Sequence, residues 1–216
     1  MKKETTQTKV WSDEFGKEYT NRNTFTLEEV DALYTQRIGV SRTAINQRFL
    51  GSMDTSLRIL EVGANIGLQL SLLQNQGFSD LWGVELQWYA VEQAKQHTQH
   101  INILQGSAFD LPFKDGFFDM VFTSGVLIHI NPDDLAQAMK EIYRCSNTYI
   151  WGFEYWAESC VEVAYRGNTD LLWKTDFAQR YRELFGDLEL VKEEKYPYVH
   201  DEKLVDSMFL LKKREL

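Results

Sequence analysis

The sequence predicts an α/β fold, a doubly wound, seven-stranded and mostly parallel sheet of the Rossmann-like kind with an N-terminal helical lid. From residue 58 onward, short apolar segments of strand length alternate with segments whose apolar residues recur at helical spacing. The last two predicted strands follow each other with only a turn between them. With 216 residues and 44% apolar side chains, the chain can bury the core of one globular unit.

The first 50 residues are predicted to be helical. Thr26 and Glu29 have the spacing of a capping box, in which each side chain accepts a hydrogen bond from an exposed amide. Apolar residues follow at helical spacing from Leu27. A break near Gly39 precedes a second helix start at Ser41. We expect residues 1–50 to form the lid and residues 51–216 to form the main domain.

The elements of the main domain follow from their apolar patterns. Residues 117–123 are almost continuously apolar, which is typical of a central parallel strand covered on both faces. An asparagine followed by proline at 131–132 predicts a capped helix start. Strands are predicted at 58–62, 81–85, 101–104, 117–123, 147–153, 188–195 and 204–212. Helices are predicted at 66–76 and 87–97, after residue 132, and from Phe177 to Gly186.

Composition excludes several classes of protein. The net charge of −9 disfavours binding to nucleic acid backbones. The N-terminus lacks the apolar run of a signal peptide, and no segment has the roughly 20 apolar residues of a membrane helix. Cys145 and Cys160 do not form a CxxC pair, and they do not belong to a cluster with the spacing of metal ligands. We therefore expect a cytoplasmic protein without a required metal.

A glycine-containing turn follows the first predicted strand. It has the form E-x-G-x-x-x-G over residues 61–67, with Asn65 inside it. Gly63 permits a sharp turn, Gly67 permits close approach of helix and strand, and the amides at the helix start can bind an anion. The second glycine of a dinucleotide fingerprint is missing. A plain strand–helix turn remains the alternative.

Two further segments point to an adenosyl ligand. Glu85 ends the second strand, where a carboxylate can accept hydrogen bonds from both ribose hydroxyls. By itself, it could equally be a solvated charge or a contact to NAD. After the third strand, the small residues of 106–108 precede Phe109 and suit the edge and face of an adenine. Together with the turn at 61–67, this pattern favours a ligand without pyrophosphate.

Residues 58–151 resemble the class I S-adenosylmethionine (SAM)-dependent methyltransferases. The resemblance implies SAM as cofactor, with the Gly63 turn holding its methionine portion, Glu85 its ribose and residues 106–109 its adenine. Ser107 departs from the aspartate that many members carry there, so backbone groups are expected to replace that contact. The candidate cofactor-binding residues are Glu61, Gly63, Asn65, Gly67, Glu85, Ser107, Ala108, Phe109 and Thr123.

A narrower resemblance concerns the flanking segments. Residues 11–23, 125–134, 154–156 and 165–178 are similar to methylases associated with the biosynthesis of pseudaminic acid and related surface sugars. This implies a small, anionic acceptor, an acidic sugar or its nucleotide conjugate, with oxygen as the favoured acceptor atom. The alternatives are another small metabolite, a nucleotide-sugar oxidoreductase, and a catalytically silent SAM-binding partner.

Three residues are candidates for catalysis. His129 lies just past the fourth strand, and an unperturbed histidine pKa near 6.5 suits a general base at neutral pH. The turnover rate is then expected to rise with pH through the neutral range. Packing beside the cofactor, or capping the next helix, are the alternatives for His129. Glu154 and Tyr155, placed after the fifth strand, could hold a substrate hydroxyl, and Glu154 could be the base instead.

Four residues are candidates for substrate binding. Tyr19 and Arg22 lie in the predicted lid, with surface capping as the alternative. Arg166 and Lys174 lie in the long connection after the fifth strand, which should cross the open rim of the sheet. The planar guanidinium of Arg166 suits a carboxylate or phosphate. An exposed cation paired with a neighbouring aspartate is the alternative for Arg166.

Overall fold

A computed structural model describes residues 4–214 and centres on a seven-stranded sheet. The strands are β1 (Arg58–Val62), β2 (Asp80–Glu85), β3 (Asn102–Gln105), β4 (Phe118–Ser124), β5 (Ser146–Trp156), β6 (Val161–Glu162), β7 (Trp173–Lys174), β8 (Leu188–Tyr198) and β9 (Asp201–Lys213). The sheet order is β3-β2-β1-β4-β5-β9-β8, and β6 pairs with β7 in a separate ribbon. The first five strands are parallel, while β9 and β8 are antiparallel additions. The predicted fold class is confirmed.

Helices connect the parallel strands and precede the first one. They are α1 (Thr6–Ser12), α2 (Glu14–Arg22), α3 (Leu27–Ile38), α4 (Arg42–Leu50), α5 (Leu68–Asn75), α6 (Trp88–His97), α7 (Pro132–Cys145) and α8 (Phe177–Leu184). The Thr26 capping box starts α3, and Gly39 ends it in the left-handed conformation (φ 77°). Ser41 caps α4, and Asn131 caps α7 with Pro132 in its first turn. The predicted helix starts are therefore confirmed.

The sheet carries a separate apolar core on each face. On one face, α4 and α5 bury residues such as Ile45, Phe49 and Leu73 against β1, β2 and β4. On the other face, α7 and α8 bury residues such as Met139 and Tyr181. Helix α4 is thus packed into the core of the sheet, whereas α1 and α2 lie at its carboxyl edge beside the loops that follow the parallel strands.

Three features differ from the sequence prediction. The two-residue strands of the β6–β7 ribbon were not predicted, because such short segments show no periodic pattern. Most other boundaries shift by a few residues. Strand β5 continues to Trp156 because β9 pairs with it as far as Val205. Glu154 and Tyr155 therefore lie within the strand, not after it, and point to opposite faces of the sheet.

Gly152 gives a test of the packing between β5 and β9. A Cβ atom at this position would overlap the ring of Phe209, its partner on β9. Gly152→Ala should therefore lower the free energy of unfolding by about 1–3 kcal/mol, the usual cost of overpacking a core. Urea denaturation measures this change. Gly186→Ala is the matched control, because nothing lies within 4 Å of its Cβ position. Equal stability of the two variants would contradict the pairing of Gly152 with Phe209 between β5 and β9.

Candidate active site

One cavity of about 450 Å³ lies at the carboxyl ends of the five parallel strands. This is the edge at which open α/β sheets bind ligands, and the volume falls in the usual range for small-molecule sites. Its floor is formed by the segments that follow each strand, and its roof by α1, α2 and the connection after β5. The lining includes residues 61–66, 84–87, 106–109, 124–126, 128–130, 153 and 155.

The turn after β1 is held in shape by its glycines. Gly63 has φ +79°, and a Cβ there would lie 2.5 Å from a methyl carbon of Val126. Asn65 also adopts a left-handed conformation (φ 46°). Gly67 lets the start of α5 approach β3 closely. A Cβ atom on Gly67 would lie only 2.8 Å from the side chain of Ile103. Gly63 and Asn65 line the cavity and Gly67 does not, so Gly67 acts on the turn through packing.

Glu85 presents a carboxylate that is already oriented. Its Oε2 accepts a hydrogen bond from the Asn65 amide (2.8 Å) and its Oε1 accepts one from the Gln87 amide (2.7 Å). Each oxygen keeps a second lone pair, so a pair of adjacent ribose hydroxyls could donate to both. Burial raises the pKa of Glu85, although the two amides oppose that effect.

Glu61 fits the cationic part of the cofactor. Its side chain is buried, lines the cavity, and has one oxygen, Oε2, without a hydrogen-bond partner in the described residues. Burial raises the pKa of this carboxyl well above its ordinary value, although the nearby Arg42 opposes that effect. The ammonium group of a bound methionine portion would supply the missing partner and add to the positive charge of Arg42.

The loop after β3 also lines the cavity, through Ser107, Ala108 and Phe109. The Ser107 hydroxyl accepts a hydrogen bond from the Phe109 amide (3.2 Å) and so caps this turn. Thr123 differs from the other predicted cofactor contacts. It is buried in β4, outside the cavity lining, and its side chain bonds to Glu154.

His129 lines the cavity and is held as a neutral ring. Its Nδ1 lies 2.7 Å from the carbonyl oxygen of Leu171, and because a carbonyl only accepts, Nδ1 carries the proton. The ring packs against Trp11 (centroids 4.6 Å apart) and Tyr165 (5.1 Å). This burial lowers the pKa of His129 to about 4. The expectation of a pKa near 6.5 is wrong for this reason.

Glu154 and Tyr155 have separate roles. Tyr155 lines the cavity, but Glu154 points to the opposite face of β5 and is buried there. The Oε1 atom of Glu154 accepts hydrogen bonds from the amides of Val126 (3.2 Å) and Leu127 (3.3 Å). Burial raises the pKa of Glu154 to about 7. Glu154 therefore positions the turn that carries His129 and has no access to the cavity.

Two glutamines hold the roof in place. Gln87, after β2, donates to the carbonyl oxygen of Asp13 between α1 and α2 (3.0 Å). Gln7 of α1 donates to the carbonyl oxygen of Asp170 (2.9 Å). Tyr19 of α2 lines the cavity beneath this roof and packs edge-on against Trp11.

The predicted substrate cations are not brought together. Arg166 lines the cavity mouth, is exposed, and forms no ion pair with any residue of the described chain. Arg22 lies outside the lining and pairs with Glu18 (3.3 Å). Lys174 also lies outside it and sits over the ring of Tyr155, 5.6 Å from its centroid.

Several lining residues were not identified from the sequence. Trp11, Gln87 and Val126 act through contacts between distant segments, which no local pattern indicates. Arg37 could have been found, because it continues the helical spacing of the apolar residues of α3.

Residues 4–214 contain neither a cluster suited to a metal ion nor a helix suited to a membrane. No group of three or more histidine, cysteine, aspartate or glutamate side chains is arranged to hold a metal ion within this range. None of the helices described here is long and apolar enough to cross a membrane.

Glu85 gives a direct test of the cofactor site. Glu85→Gln retains one acceptor oxygen and should weaken binding of S-adenosylhomocysteine by about 1–3 kcal/mol, roughly 5- to 150-fold. Calorimetry measures this, with Glu92→Gln on the exposed face of α6 as control, because Glu92 pairs only with Lys95. Unchanged affinity of Glu85→Gln for S-adenosylhomocysteine would show that Glu85 does not bind the cofactor.

The comparisons with known proteins agree with this geometry. Residues 60–148 match the sequence profile of a methyltransferase domain family. No curated protein sequence matches the chain. One solved structure with a matching chain is a Haloferax volcanii complex between the Trm112 methyltransferase activator and a candidate methyltransferase. The match has TM-score 0.70 and 15% identity, and it covers 95% of this chain and 98% of that one.

Two other solved structures share the fold. The 1,6-didemethyltoxoflavin-N1-methyltransferase of Burkholderia thailandensis, with its substrate and S-adenosylhomocysteine bound, gives TM-score 0.65 and 15% identity over 94% of this chain and 90% of that one. A SAM-dependent methyltransferase of Methanosarcina mazei gives TM-score 0.62 and 16% identity, over 77% of this chain and 96% of that one. Residues 60–148 are therefore similar to a methyltransferase domain, and the chain shares its fold with SAM-dependent methyltransferases. This similarity supports S-adenosylmethionine as the cofactor.

Proposed function

We propose that this chain methylates a hydroxyl group of a small acidic sugar, or of its nucleotide conjugate, in the cytoplasmic biosynthesis of a surface polysaccharide. The observation that carries the proposal is the roofed cavity, in which the cofactor-binding turns and the neutral ring of His129 face the same enclosed space. The resemblance of the flanking segments to methylases of acidic surface sugars supports this choice of acceptor.

The roof supports a small acceptor. Helices α1 and α2 are tied to the sheet through Gln87 and to the connection after β5 through Gln7. The remaining space of about 450 Å³ has to hold the cofactor and the reacting part of the acceptor. A folded protein or a nucleic acid duplex could not enter it without displacement of the roof.

When bound, SAM supplies an electrophilic methyl group on its sulfonium. The chain contributes orientation and a proton acceptor. Because Nδ1 of His129 donates to Leu171, Nε2 holds the lone pair and could take the proton of an acceptor hydroxyl. Tyr155 and Tyr19 on the same lining offer hydroxyl groups that could orient the acceptor. The roof covers part of the cavity and limits its contact with bulk water.

Mass spectrometry of products tests the proposed acceptor. SAM and the protein are incubated with individual nucleotide-linked acidic sugars and with matched neutral sugars. A product heavier by one CH₂ group, with the methyl on oxygen, is expected only from the acidic sugars. Methylation of a nitrogen atom, or of neutral sugars alone, would contradict the proposed acceptor and leave the cofactor assignment intact.

His129 can be tested with a variant that preserves its structural contact. His129→Asn keeps an N–H group that can donate to the Leu171 carbonyl, but it lacks Nε2. We expect kcat to fall by about 10²- to 10⁴-fold, the usual contribution of a general base, with affinity for S-adenosylhomocysteine within a few-fold. His97→Asn, on the exposed end of α6, is the control. An undiminished kcat in His129→Asn would exclude His129 as the base.

The pH profile tests the environment of His129. A base with a pKa of about 4 is already deprotonated at neutral pH, so kcat should be flat from about pH 6 to 8 and fall only as the pH approaches about 4. A rise of about tenfold between pH 6 and 7 would contradict the lowered pKa. If such a rise vanished in Glu154→Gln, the titrating group would be Glu154, whose pKa is about 7.

A further inference from the structure

One face of α3 forms part of the cavity wall. Val30, Leu33, Tyr34 and Arg37 all line the cavity and follow each other at spacings of three and four residues. The first three supply an apolar and aromatic wall. Arg37 occupies the next position of this buried stripe, where the helical pattern by itself calls for another apolar residue.

The Arg37 guanidinium is held in place but not paired. Its Cζ lies 5.9 Å from the ring centroid of Tyr34 and 5.7 Å from that of Tyr198. The backbone carbonyl of Arg37 accepts a hydrogen bond from the Val199 amide (2.9 Å), which fixes the end of α3 to the β8–β9 hairpin. Within residues 4–214, no carboxylate forms an ion pair with its side chain.

Asp206 is the carboxylate that attracts Arg37 electrostatically. It is fully buried in β9, and one of its oxygens accepts a hydrogen bond from the Tyr198 hydroxyl (3.3 Å). Burial raises the pKa of Asp206 to about 7. Because burial favours the uncharged form of its carboxyl, Asp206 balances Arg37 less than an exposed aspartate would.

Charges of both signs line the cavity. Glu61 and Glu85 follow β1 and β2, where the cofactor would bind. The buried Arg42 offsets the charge of Glu61 and does not line the cavity. The cations of the lining are Arg37 and Arg166, and in a chain with net charge −9 they favour an anion beside them.

We propose that Arg37 binds the acid group of the acceptor and so selects anionic substrates. The planar guanidinium can donate two parallel hydrogen bonds to one carboxylate or phosphate. This inference rests on the proposed function in one respect, the acidic acceptor, and names the residue that recognises it. Arg166 is exposed at the mouth, where solvent screens its charge, whereas Arg37 is partly buried and lies near two aromatic rings.

Anion binding can be measured without the acceptor. In protein saturated with S-adenosylhomocysteine, the Nε–H resonance of Arg37 is identified by its absence in Arg37→Lys. Sodium acetate and inorganic phosphate are then titrated at constant ionic strength. A saturable shift of this resonance is expected with at least one of the two anions, and the tighter one identifies the acid group as carboxylate or phosphate. Only a linear drift with both anions, or a saturable shift confined to Arg166, would overturn the proposal.

Kinetics with an acidic acceptor give a second readout. Arg37→Lys keeps the charge but loses the bidentate geometry, so KM for the acceptor should rise at least about tenfold while affinity for S-adenosylhomocysteine is unchanged. Arg48→Lys is the control, because Arg48 lies on the outer side of α4 and pairs with Glu194. Unchanged KM in Arg37→Lys would overturn the proposal.

Arg37→Gln separates recognition from a structural role. If Arg37 serves only to balance Asp206, this variant should lose thermal stability and keep its acceptor KM, which contradicts the proposal. If it recognises the acid group, the variant should keep its circular dichroism spectrum and lose discrimination between acidic and neutral sugars. Failure of wild-type protein to methylate any sugar, with anion binding at Arg37 intact, would instead contradict the proposed function.

Discussion

The contact between Gly63 and Val126 determines how the loops at the carboxyl edge of the sheet fit together. Gly63 can turn beneath Val126 only because it lacks a Cβ atom. The amide of Val126 is in turn held by the buried carboxylate of Glu154 on β5. Three adjacent strands, β1, β4 and β5, are therefore joined through one glycine, one valine and one glutamate, and the turn that carries His129 is placed beside the cofactor site by the same contacts.

Burial governs the electrostatics of the site more than direct ion pairing does. Burial raises the pKa of Glu61, Glu85 and Glu154 and lowers the pKa of His129. The effect on the two cavity-lining glutamates favours the binding of a cation, because a positive charge beside them offsets the cost of their desolvation. The same burial leaves His129 uncharged at neutral pH, so that Nε2 can accept a proton, and at the same time makes the ring a weaker base. Closure of the roof by α1 and α2 thus affects binding and chemistry alike.

Local patterns were sufficient to predict the fold and many residues of the cavity lining. Strand–helix alternation, the capping box at Thr26 and the turn at 61–67 are properties of contiguous residues, and the structure reproduces them. Properties set by distant segments were not predictable. The pKa of His129 depends on its burial beside Trp11, and the face on which Glu154 lies depends on how far β9 extends β5. Arg37 was missed although its spacing on α3 was visible.

A crystal structure of the chain with S-adenosylhomocysteine would test most directly whether one roofed cavity holds the cofactor beside His129. The ribose hydroxyls are expected within hydrogen-bonding distance of both Glu85 oxygens, and the amino group near the unpartnered oxygen of Glu61. The sulfur should face the part of the cavity lined by His129 and Tyr155. Electron density for the ligand outside this cavity, or a sulfur directed away from His129, would contradict the account.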